Sequence, residues 1–98
     1  MNPWQHYPVP LTRHEAAFGD RVVRSFAQRP VSVNAMFARA VGQRGNHEAL
    51  VCDGRRWTYA DVDREAAWIA AGLSAQGVAA GDRVAMFITN RPEFVFVL

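Results

Sequence analysis

Lysine does not occur in the 98 residues, so all eleven cations are arginine. Schiff-base chemistry, a lysine general base and the P-loop motif each need an ammonium group, and this stretch supplies none. Cysteine occurs once, as Cys52, which rules out an internal disulfide or a thiolate metal cluster. Its apolar neighbours Leu50 and Val51 lead us to expect a buried structural thiol. His6, His14 and His47 have neither an i, i+4 pairing nor a nearby cysteine ligand, so no metal site is expected. No apolar run approaches the roughly 18 residues that a bilayer span requires, so no transmembrane segment is expected. The start MNPWQHYPVP lacks the basic-then-apolar order of a secretory signal, which makes the cytoplasm the expected location. Blocks of like charge are missing as well. The nine carboxylates interleave with the arginines, and a net charge of +2 spread in this way argues against a nucleic-acid partner. Internal repeats and low-complexity segments are absent too.

Half of the residues are hydrophobic and a fifth are charged, the composition of a chain that folds. At this length it forms one domain at most, burying roughly 60 to 65% of its unfolded surface. Met1 to Leu11 carries three of the five prolines and predicts an extended arm. Thr12 with Glu15 offers a capping box, and Asp20, Val22, Val23 and Phe26 recur at helical steps, which together predict two short helices before Pro30. Ser32 caps a further helix in which Val33, Met36, Phe37, Ala40 and Val41 share one face up to Gly42. Ala49 to Cys52, Asp53-Gly54 and Arg55 to Trp57 predict a β-hairpin with a two-residue turn. Thr58 with Asp61 opens the longest helix, from about Ala60 to Gln76, with Val62, Ala66, Ile69, Ala70 and Leu73 as its buried stripe and Gly77 at its end. Trp68 falls off that stripe.

The preceding elements lead into the stretch from Gly77 to Leu98. Val84 to Ile88 is apolar without alternation between Gly81-Asp82 and Asn90-Arg91-Pro92, which predicts a strand at about Arg83 to Ile88 covered on both faces. Asn90 with Glu93 matches a capping box, Pro92 suits a first helical turn, and Phe94, Val97 and Leu98 begin an apolar stripe. A parallel strand needs a partner reached by a crossover, so the expectation is an α/β chain holding only the start of a βαβ unit, a truncated piece of something larger.

In this order, the hairpin, Thr58-Tyr59-Ala60-Asp61, the long helix, Gly77-Val78-Ala79-Ala80-Gly81-Asp82-Arg83-Val84-Ala85 and Asn90-Arg91-Pro92-Glu93 resemble the adenylate-forming superfamily, at the beginning of the large N-terminal domain of acyl-CoA synthetases. The resemblance runs from about Ser32 to Leu98. It departs at Asp61-Val62, where the family more often has Glu-Leu, and at Arg91, where a small residue is common. It implies an arm with short helices over residues 1–31 and an incomplete AMP-binding large domain over residues 32–98. It also implies a parent enzyme that uses ATP and Mg²⁺ to convert a carboxylic acid to an acyl-adenylate and then transfers the acyl group to coenzyme A. The family's phosphate-binding loop and catalytic lysine match nothing in this sequence. No catalytic, cofactor-binding or metal residue is therefore expected here, and no cofactor is expected to bind this stretch.

Among individual residues, Asp61 and Asp82 are expected to accept backbone N–H bonds at a helix start and a turn rather than to act as acid or base. The chain at Asn90 to Glu93, with Arg91, has the order of an anion-binding helix start but lacks the glycine that a close phosphate approach needs. The expected partner is the remainder of the large domain. Self-association through residues 84–98 is also expected, since that stretch would leave a strand edge and apolar side chains uncovered. Two other readings are a short interaction module using the surface near Trp68 and the C-terminal helix, and a small nucleotide-binding domain, which the missing phosphate loop disfavours.

Overall fold

Successive residues of left-handed conformation, Phe18 at φ 53° and Gly19 at φ 87°, reverse the chain early. That geometry belongs to a tight hairpin turn. In the computed structural model, which describes residues 8–98, strand β1 (Thr12–Ala17) pairs antiparallel with β2 (Arg21–Phe26), His14 lying opposite Arg24 and Ala16 opposite Val22. The two short helices expected here are thus replaced by strands. Val22 and Phe26 are four residues apart, a spacing that puts them on one face of a helix and equally on one face of a strand, and β-branched Val22 and Val23 favour the latter. Glu15 does not cap a helix either: its carboxylate pairs with Arg13 at 3.1 Å and Arg29 at 2.6 Å. The first seven residues of the expected proline-rich arm lie outside the described residues.

This hairpin belongs to the first of two compact units, Met1–Met36, and the second is Phe37–Leu98. Helix α1 (Val33–Arg44) starts as expected, the Ser32 hydroxyl accepting the Ala35 N–H at 3.0 Å. Its apolar stripe is only partly covered: Phe37, Ala40 and Val41 are half-buried, while Val33 and Met36 are exposed. In the second unit, β3 (Glu48–Cys52) and β4 (Arg55–Thr58) form the expected antiparallel pair, with Leu50 opposite Trp57 and Cys52 opposite Arg55. Asp53 at φ 50° and Gly54 at φ 75° make the two-residue turn.

Helix α2 (Tyr59–Ala75) follows without a linker because Thr58 ends the strand and caps the helix. Its hydroxyl accepts the Asp61 N–H at 3.1 Å, and the Asp61 carboxylate accepts the Thr58 N–H at 2.9 Å. At the other end Gly77 sits at φ 93°, its N–H reaching the Ser74 carbonyl at 3.0 Å, while the Val78 N–H reaches the Leu73 carbonyl at 3.1 Å. These are the paired bonds of a glycine-terminated helix. Val62 is buried, and Ala66, Ile69 and Leu73 are half-buried, but Ala70, expected on the same stripe, is exposed. Trp68 is 76% exposed.

The core of the second unit is Trp57 from β4, Val62 from α2 and Phe96 from α3 (Pro92–Val97), with Phe37, Leu50, Cys52 and Ile69 packed around them. Two expectations about the C-terminal stretch are corrected. Val84 to Ile88 forms neither helix nor strand, and its side chains are exposed apart from half-buried Ile88. A ladder needs a partner strand, and in both described sheets the two strands pair only with each other. Asn90 does not cap α3: the N-cap is Arg91, with no side-chain cap bond, and Glu93 turns back to Arg91 at 3.3 Å. Pro92 does take the first turn of that helix, as expected. Among the described residues, no helix is long and apolar enough to cross a membrane.

Candidate functional site

A cleft of about 350 Å³ opens in the second unit between the β3–β4 turn and the start of α3. One wall is Cys52, Asp53, Arg55 and Trp57, placed side by side by the antiparallel register and the turn. The other is Thr89 to Glu93, where the chain bends into α3. Trp57 is 8% exposed and carries the Arg55 guanidinium over its ring, 4.7 Å from the centroid. That stacking holds the cation by its attraction to the face of the indole.

The titratable groups of the cleft are in balance. Arg55 and Arg91 supply two cations, and Asp53 and Glu93 two carboxylates. Glu93 is spoken for by Arg91, and Asp53 Oδ2 accepts a weak bond from the Cys52 thiol at 3.7 Å. Burial, with Asp53 beside it and Glu93 further off, raises the Cys52 pKa above its ordinary 9.0. The thiol therefore stays protonated near neutral pH and is a poor nucleophile. Such a cleft can hold a small polar or zwitterionic group against Trp57, but it offers no activated nucleophile and no excess of either charge.

The residues singled out in the sequence, His6 apart, take up identifiable places in the fold. Asp61 completes the α2 cap with Thr58 and also pairs with Arg64. The Thr58 backbone N–H, with the Thr58 side chain and Arg64, holds its pKa below the ordinary 3.8. Asp82 accepts the Ala79 N–H at 2.8 Å across the turn at Gly81, where φ is 89°. Cys52 is half-buried rather than fully buried, at the edge of the core. His6 lies outside the described residues, whereas His14 is on β1 and His47 precedes β3. Among the described residues, no three His, Cys, Asp or Glu side chains gather as a bound metal would need. Asn90 to Glu93 does line the cleft, facing Arg55 and Trp57. The part played by Arg55 and Trp57 was hidden in the sequence, where Arg55 reads only as a residue after a turn.

The AMP-binding enzyme family matches residues 37–98, a span that coincides with the second compact unit. This chain belongs to that family. Curated relatives include Triostin synthetase I of Streptomyces triostinicus, 46% identical over 50 residues, which make up 51% of this chain and 10% of the relative. The Acyl-CoA ligase sidI of Beauveria bassiana is 39% identical over 57 residues, 56% of this chain and 10% of the relative. A plipastatin synthase of Bacillus subtilis is 33% identical over 67 residues, 68% of this chain and 3% of the relative. The chain thus spans a tenth or less of the length of these relatives. No solved structure matches it.

Membership of the AMP-binding enzymes implies ATP and Mg²⁺, and the cleft residues do not fit that pair. A nucleoside triphosphate needs an excess of cationic and N–H donors around its phosphates. Here Arg91 is tied to Glu93, Arg55 lies over Trp57, and two carboxylates face the same space. No step of an adenylation is therefore assigned to these residues.

Proposed function

We propose that this chain is a scaffold segment of an ATP-dependent acid–CoA ligase, an enzyme that forms an acyl-adenylate from a carboxylic acid and passes the acyl group to coenzyme A. The observation that carries the reading is the family match over residues 37–98, joined to the way the matched motifs are used: Thr58 and Asp61 cap α2, Gly77 ends it, and Asp82 closes the next turn. All of these tasks position backbone. On this reading Val84 to Ile88 is the first strand of a βαβ unit, paired once the rest of the large domain is present, and the 98 residues alone do not catalyse. Acyl-CoA ligase relatives at 39% and 40% identity favour coenzyme A as the acceptor.

A second reading has its own support. Triostin synthetase I and the plipastatin synthase are relatives whose names specify no coenzyme A ligase, which favours an acceptor thiol other than coenzyme A.

Two assays test these readings. ATP–pyrophosphate exchange with a panel of carboxylic and amino acids is expected from the product of the complete reading frame and absent from the 98-residue chain. Thioester formation on added coenzyme A by that product supports the ligase, whereas exchange without it supports the synthetase. Exchange by the purified 98-residue chain, with full-length contaminant excluded, overturns the scaffold assignment.

A further inference from the structure

We draw no further inference here: the strongest candidate, the exposed apolar face of the β1–β2 hairpin at Val22 and Phe26 with Phe18 at its turn, is a surface patch for which nothing in the structure shows what covers it.

Discussion

The ring of Phe96 meets that of Trp57 edge to face, with centroids 5.8 Å apart and planes at 65°. Through this contact α3 is fastened to the hairpin, and Val62 of α2 completes the cluster. Among the described residues only these three hydrophobic side chains are buried, so each carries a large share of the second unit's cohesion. Phe96→Ala is expected to cost about 3 kcal/mol, the lower end for a buried aromatic because Phe96 lies near a surface that can collapse. Domains of this size have only about 5 to 10 kcal/mol to lose. The measurement is a urea titration followed by tryptophan emission, in which Trp57 shifts to the red as its ring is uncovered. An unchanged midpoint would show that α3 is not held by this contact.

What could be read from the sequence follows from where the determining interactions lie. The β3–β4 hairpin and both ends of α2 were legible because their causes are local: Asp53-Gly54 for the turn, Thr58 with Asp61 for the cap, Gly77 for the stop. The β1–β2 hairpin was not legible, since Val22 and Phe26 satisfy both periodicities and the deciding feature, a left-handed Phe18, goes against the usual preference of a bulky residue. Val84–Ile88 shows the opposite limit. Its apolar run encodes an environment that a neighbouring strand must provide, so the pattern alone does not make the ladder. The cleft was half legible: Asn90 to Glu93 stood out for its resemblance to an anion-binding helix start, but the Arg55–Trp57 wall depends on cross-strand placement.

The raised pKa of Cys52 predicts slow alkylation. Burial and the neighbouring Asp53 carboxylate disfavour the thiolate, so its titration in the folded chain lies above 9.0. Iodoacetamide is expected to modify the folded chain more slowly than the urea-unfolded chain at pH 8, and the rate is expected to rise through a midpoint above that of a free thiol. Asp53→Asn removes one of the two leading causes and is expected to bring the midpoint down. A folded-state rate equal to the unfolded one would refute the assignment.

The Thr58–Asp61 cap predicts how the stability of α2 responds to acid. The hydroxyl of Thr58 serves a helix N–H that has no other partner within the helix, so Thr58→Ala is expected to cost about 1 kcal/mol at neutral pH. Asp61 adds a charge whose folded-state pKa is lowered from 3.8, chiefly by the Thr58 backbone N–H, then by the Thr58 side chain and Arg64. Because the folded value lies below the unfolded one, the stabilisation is complete above the unfolded pKa and is lost as pH falls through the folded one. Asp61→Asn keeps an oxygen acceptor for the Thr58 N–H but removes the charge, which isolates this contribution. In urea titrations the wild type is expected to exceed Asp61→Asn by a constant margin from about pH 7 to pH 5, and the margin is expected to close as pH drops below about 4. A margin that persists at about pH 2 would mean that the carboxylate's charge contributes nothing and that shape alone makes the cap.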